Sequence, residues 1–190
     1  PYTTLFRSSD FAPLIESYAA ADDLSAFPET LIIPHECVAV GMAHGFYLAT
    51  GRPQGVLVHV HVGLANAVMG VVNAHADNVP MVVISGRTPL TEHGRLGARA
   101  TAIQYGQEIF DQTALVRDVT KFNYELRYAE QASALVNRAV SIAKSEPCGP
   151  VYLSLPREPL AEDVPEGHPT QKLIQEAPSL PQPDQTMIDR

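Results

Sequence analysis

Cysteine is scarce in this chain: Cys37 and Cys148 are the only two among 190 residues. That is too few for a disulfide framework and is in keeping with a reducing, cytoplasmic setting. Basic residues are also short, 13 lysines and arginines against 21 acids, and no basic cluster offsets the net charge of −8. This balance argues against nucleic acid and anionic membrane as partners and mainly favours solubility. No apolar run is long enough to span a bilayer, and the N-terminus does not read as a signal peptide. No G-x-G-x-x-G follows any predicted strand, so the phosphate-cradling turn of a dinucleotide-binding oxidoreductase is not visible. Internal repeats are absent. No Cys, His and carboxylate set stands at zinc spacing, so no metal ligand is expected within the chain.

What is present is a chain of 45% hydrophobic residues whose periodicity alternates between helix and strand. Helices are expected from about Phe11, from Cys37, from Asn66 and after Ala129. Strands are expected near Leu31, over Gly55 to Val62, over Pro80 to Ser85 and over Val151 to Leu155. Alternation of this kind predicts an α/β fold, a mostly parallel sheet with helices on both faces. The part from Ser9 to about Pro156 is large enough to bury a core.

The most informative stretch is Leu31 to Pro53, LIIPHECVAVGMAHGFYLATGRP. A short apolar strand delivers Glu36 to the start of a helix of small residues. Burying a carboxylate is costly, so an acid between Leu-Ile-Ile and Cys37-Val38-Ala39-Val40 calls for a specific partner. An apolar setting would raise its pKa, which suits a group that shares a proton with a heteroaromatic nitrogen. On this segment alone, complementing the helix dipole explains Glu36 equally well. Cys37 reads as a small packing residue, since a thiolate beside a buried carboxylate is disfavoured.

The strand GVLVHVHV places His59 and His61 on one face by simple alternation, near its C-terminal end and just before Gly63. In parallel α/β sheets that edge is where ligands bind, and Gly63 permits close backbone approach. A pair there favours a functional role, although a single strand histidine is more often a satisfied core residue. His44 and His75 fall inside helices, where packing is the default, and His35 matters as the neighbour of Glu36. The polar stretch from Gly86 to Gly106 carries Arg87, Arg95 and Arg99. Either an arginine there holds a substrate carboxylate or the stretch is a solvated surface loop.

Four blocks in order, HECVAVGMAHGFYLATGRP, HVGLANAVMGVVNAHADNVPMVVISG, KFNYELRYAEQ and SEPCGPVYLSLPRE, resemble the pyrimidine-binding domain of thiamine diphosphate (ThDP) enzymes. The group is that of acetolactate synthase, pyruvate oxidase and benzoylformate decarboxylase, and the resemblance covers nearly all of Ser9 to Asp163. It implies that Glu36 contacts N1′ of the cofactor's aminopyrimidine and favours the imino tautomer that deprotonates the thiazolium carbon. It also implies cofactor contacts at Gly63 and Asn66 and an active site at a dimer interface. A homo-oligomer and a small-molecule 2-oxo acid substrate are therefore expected. Counted back from Asn66, His59 falls where benzoylformate decarboxylase has a catalytic histidine, and His61-Val62-Gly63 replaces the Gly-Pro-Gly of acetolactate synthases. His59 and His61 are thus candidate proton-transfer groups, and the reaction stays open between decarboxylase, lyase and carboligase. Gln104, Gln107 and Gln112 fall where the family places an active-site glutamine, and the register does not choose among them.

At the ends, PYTTLFRS reads as the translation of a sequencing-adapter oligonucleotide, so residues 1–8 are set aside and the first strand is expected to be missing. The domain is then 9–156, truncated at its N-terminus. Residues 157–184, rich in Pro, Glu and Gln, read as an interdomain linker, and 185–190 as the possible start of a central domain. Mg2+ is expected through a diphosphate-binding domain outside this chain, whose Gly-Asp-Gly and Asn-Asn motif is absent here. The competing readings are a non-catalytic domain of the same fold and a small subunit of a two-subunit ThDP decarboxylase. Retention of Glu36 weighs against the first and the Pro-rich tail against the second.

Overall fold

The computed structural model describes residues 2–5 as backbone, together with residues 11–165 and 167–168. Six strands form one sheet in the order β2-β1-β3-β4-β6-β5, and every pairing in it is parallel. They are β1 (Tyr2–Leu5), β2 (Glu29–Leu31), β3 (Gln54–Val58), β4 (Met81–Arg87), β5 (Asn123–Glu125) and β6 (Pro150–Pro156). The main helices are α1 (Ala12–Ala20), α2 (Glu36–Thr50), α3 (Val60–Ala76) and α5 (Ala132–Lys144); α4 (Ile103–Gly106) and α6 (Arg157–Ala161) are short.

Alternation along the strands splits the core in two. Val56, Val58, Met81, Val83 and Tyr152 face α2 and α3, whereas Leu57, Val82, Val151, Leu153 and Leu155 pack with Phe11 and the α5 residues Leu135, Ala139 and Ala143. Both faces of the sheet are covered, as a parallel sheet requires. α2 and α3 approach closely because Gly70 has no side chain: a Cβ there would lie 2.6 Å from Val40 Cγ1. The small-residue spacing of these helices is thus first a matter of internal packing. On the α5 face a groove of about 810 Å³ opens among Leu14, Leu57, Val82, Leu135 and Leu153.

Three expectations change. The sequence reading sets residues 1–8 aside and leaves the first strand missing, yet Tyr2–Leu5 forms β1 between β2 and β3, with Thr3 level with Thr30 and Gly55. Tyr and Thr suit a pleated strand, and the backbone groups of two flanking strands need a partner. The expected strand over Gly55 to Val62 ends at Val58, and α3 starts at Val60 rather than near Asn66. Val60, Leu64, Ala67, Val71 and Ala74 are all buried and recur at helical spacing, a period that outweighs the short Val-His alternation. Finally, the expected linker opens with α6, in which Glu158 and Pro159 are buried. Pro159 fits there because a first helical turn tolerates proline. The expected linker beyond His168 and the segment 185–190 lie outside the described residues.

Candidate functional site

Glu36 opens α2, preceded by His35, whose extended backbone makes it the N-cap and whose Nδ1 accepts from Cys37 N at 3.2 Å. The capping ring satisfies a first-turn N–H, and the positive end of the helix favours the Glu36 carboxylate. Glu36 is only 5% exposed, but the Leu-Ile-Ile segment does not bury it, since Leu31 and Ile32 are 38% and 64% exposed at the sheet edge. The burial comes from α3. Asn66 Nδ2 donates to Glu36 Oε2 at 3.2 Å, and a Cβ on Gly63 would lie 3.0 Å from Oε1 and 3.2 Å from the Val58 carbonyl carbon. Glycine at 63 therefore makes the recess in which this carboxylate sits.

The same end of α3 carries both histidines, though not on a strand face. His59 is the N-cap residue and His61 lies in the first turn, with Val60 between them at φ 28°. Gln107, at the C-cap of α4, meets both: His61 Nδ1 is 2.7 Å from the Gln107 carbonyl oxygen, and His59 Nε2 is 2.9 Å from the Gln107 amide nitrogen. Glu36, Asn66, Gly63, His59 and His61 thus gather where β3 passes into α3, at the C-terminal edge of the sheet. The 810 Å³ groove is on the opposite face and holds none of them.

A model of the family described as "Thiamine pyrophosphate enzyme, N-terminal TPP binding domain" matches residues 9–115. The chain belongs to this family. Benzoylformate decarboxylase of Pseudomonas aeruginosa is 31% identical over 147 residues, covering 76% of this chain and 26% of that protein. The acetolactate synthase large subunit of Haemophilus influenzae is 32% identical over 145 residues, covering 76% of this chain and 24% of that one. The chain thus spans about a quarter of the length of these relatives. Among solved structures, the thiamine diphosphate-dependent 4-hydroxybenzoylformate decarboxylase of Rhodococcus jostii RHA1 shares the fold with a TM-score of 0.76 at 24% identity, over 98% of this chain and 33% of that one.

Within this ThDP-enzyme domain the three candidate glutamines separate by their partners. Gln104 Oε1 accepts from Ala100 N at 2.8 Å and Thr101 N at 3.3 Å, a local backbone brace. Gln112 is buried and donates to Ser85 Oγ, Gly86 O and Tyr152 OH at 2.6, 2.9 and 3.1 Å, beneath the ends of β4 and β6. Burial pushes the Tyr152 phenol above its ordinary value. Only Gln107 reaches the histidines, and spacing could not reveal this because the contact spans 46 and 48 positions.

Each of the three arginines pairs with an acid of this chain, and Arg87 and Arg99 are largely buried rather than solvated, so the stretch is not a simple solvated loop. Arg87 pairs with Glu125, Arg95 with Glu162, and Arg99 with Glu108 while lying 4.5 Å from the centre of the Tyr105 ring. The loop is pinned to α6 by Glu158 Oε1, which accepts from Thr91 N and Oγ1 at 2.7 and 2.8 Å. His44 pairs with Asp77 at 3.2 Å, a tie between α2 and the end of α3. Cys37 is exposed, which corrects its reading as a packing residue. Burial, then Glu146, pushes the Cys148 thiol up, away from nucleophilic character. Among the described residues no group of three or more His, Cys, Asp or Glu is placed to hold a metal ion, and no helix is long and apolar enough to cross a membrane.

Proposed function

We propose that this domain activates the aminopyrimidine of ThDP in an enzyme that acts on a 2-oxo acid by decarboxylation, lyase chemistry or carboligation. The observation that carries the reading is Glu36: a carboxylate buried at a helix N-terminus, held by Asn66, beside a recess that a Cβ at residue 63 would fill. An aromatic nitrogen fits such a carboxylate, because sharing a proton compensates the burial that water no longer relieves.

When bound, ThDP supplies the carbanion chemistry, as a cofactor does. Glu36 shares a proton at the pyrimidine nitrogen, Asn66 orients the carboxylate, and Gly63 gives the ring room. His59 and His61 move protons at the substrate. Their presence in place of Gly-Pro-Gly supports decarboxylase or lyase chemistry beside carboligation. Mg2+ belongs to a diphosphate-binding domain outside this sequence. Val38 and Met42 of α2 and Val62 and Met69 of α3, each 43 to 62% exposed, support a second copy docking beside the cofactor. A cytoplasmic location is part of the same reading, supported by the two unpaired cysteines.

The test is Glu36→Gln in the longer enzyme containing this domain. The amide keeps the shape but cannot share the proton, so turnover is expected to fall at least about a hundredfold while far-ultraviolet circular dichroism stays unchanged. Near-parental turnover would refute the assignment.

A further inference from the structure

Val60 has a φ of 28°, although it is β-branched and fully buried. Backbone strain of this kind is uncommon for such a residue and persists only where the surroundings hold it. The residues on either side are His59 and His61, and one residue, Gln107, contacts both rings.

The two contacts use different parts of Gln107, and each dictates where a ring carries its hydrogen. A carbonyl oxygen only accepts, so His61 Nδ1 must donate to it, and the lone pair of the neutral ring lies on Nε2. An amide nitrogen only donates, so His59 Nε2 must accept, and the hydrogen of neutral His59 lies on Nδ1. The side-chain amide, turned over, would offer Oε1 to a His59 that carries hydrogen on Nε2. The His61 contact is made by the main chain and is independent of that rotation.

We propose that Gln107 is a positioning residue that fixes both histidines in the Nδ1–H tautomer, engaging Nε2 of His59 and leaving Nε2 of His61 as the nitrogen that takes up a proton. The proposal rests on the reading of His59 and His61 as proton-transfer groups and divides the work between them: His61 as the base, His59 as the ring whose proton follows the Gln107 amide.

The experiment is a long-range proton–nitrogen NMR spectrum of the uniformly 15N-labelled 190-residue chain, at a pH where the rings are neutral. Ring signals are assigned by His59→Gln and His61→Gln. Both rings are expected to show a protonated Nδ1 and a bare Nε2, the reverse of the form that imidazole prefers in water. In Gln107→Ala the His59 tautomer ratio should shift at least fivefold towards Nε2–H, and His61 should keep its pattern. In Gln107→Glu, whose carboxylate only accepts, His59 should move its hydrogen to Nε2 outright. That second variant keeps the test decisive if truncation loosens the loop. A His59 pattern unaltered in Gln107→Glu, or Nε2–H on His61 in the parent chain, would overturn the proposal. The spectra locate protons and do not depend on turnover. Failure of the proton-transfer reading would show separately, as unchanged turnover of the longer enzyme in His59→Ala and His61→Ala.

Discussion

Glu36 is kept in place by two neighbours of opposite kind, a donor at Asn66 and an absence at Gly63. The absence is the more exacting requirement. Gly63→Ala would set a methyl group 3.0 Å from Glu36 Oε1 and 3.2 Å from both the backbone carbon and Cβ of Val58, and the backbone cannot yield as a flexible side chain would. The substitution should destabilise the chain by about 1–3 kcal/mol, as overpacking does, with a lowered midpoint in urea denaturation. A fully stable variant would mean that the recess is wider than the contacts indicate. Tyr152 offers a residue-scale test with a defined sign. Burial raises its pKa above the ordinary 10.0, so above about pH 10 the unfolded chain loses the phenolic proton first and stability falls as pH rises. Tyr152→Phe should flatten that alkaline fall. At neutral pH it should cost about 1–3 kcal/mol, because Ser85 and Gln112 lose a buried partner. Denaturation curves at pH 7 and above pH 10 separate the two effects.

At the scale of elements, the packing of α2 on α3 decides where the site residues stand. Val40 enters the space left by Gly70, and the same pair of helices brings Glu36 against Gly63 and Asn66. Gly70→Ala would drive a Cβ to 2.6 Å from Val40 Cγ1, so it should destabilise the domain by about 1–3 kcal/mol and pull Glu36 from Asn66. Val40→Ala removes the Cγ1 methyl group that makes the 2.6 Å contact, leaves the Val40 Cβ contact at 2.9 Å, and opens a cavity. The double variant should then be less destabilised than the sum of the two singles, with a coupling of about 1 kcal/mol in a double-mutant cycle. Simple additivity would show that the helices can separate freely. The loop between β4 and α4 is anchored in turn, through Gly97 at φ 85°, where a Cβ would lie 3.0 Å from the Arg157 carbonyl oxygen.

At the scale of the whole molecule, α2 and α3 are apolar on both sides, one against the sheet and one towards solvent. Exposed Val38, Met42 and Met69 make a face of the kind that a second copy covers. On the proposed reading that a second copy covers this face, Met42→Glu should weaken self-association of the longer enzyme at least tenfold by sedimentation, with its circular dichroism unchanged. An unaltered sedimentation profile would remove this face from the interface.

Much of this arrangement was legible from the chain alone. Apolar periodicity announced α1, β2, α2, β4, α5 and β6 within a few residues, and the order of motifs pointed to the family, because patterning and residue type are local properties. Glu36 stood out on chemistry, as an acid beside small apolar residues. What local pattern misjudged was each place where a distant segment overrode it. Val-His alternation suggested a strand through Val62, but the buried helical stripe from Val60 to Ala74 moved both histidines onto α3. The hydrophobic Leu-Ile-Ile segment suggested burial from its own strand, yet that strand lies at the exposed edge and α3 does the burying. Tyr2–Leu5 entered the sheet because two neighbours left a space of one strand. Which of the three glutamines meets the histidines was undecidable from spacing, since contacts 46 and 48 positions apart exist only once the chain has closed. The sequence by itself determined the α/β class, the family and the acid at residue 36. Only the tertiary structure decided which donor holds that acid and which residue meets both histidines, because both depend on side chains brought together by helix packing on a common sheet.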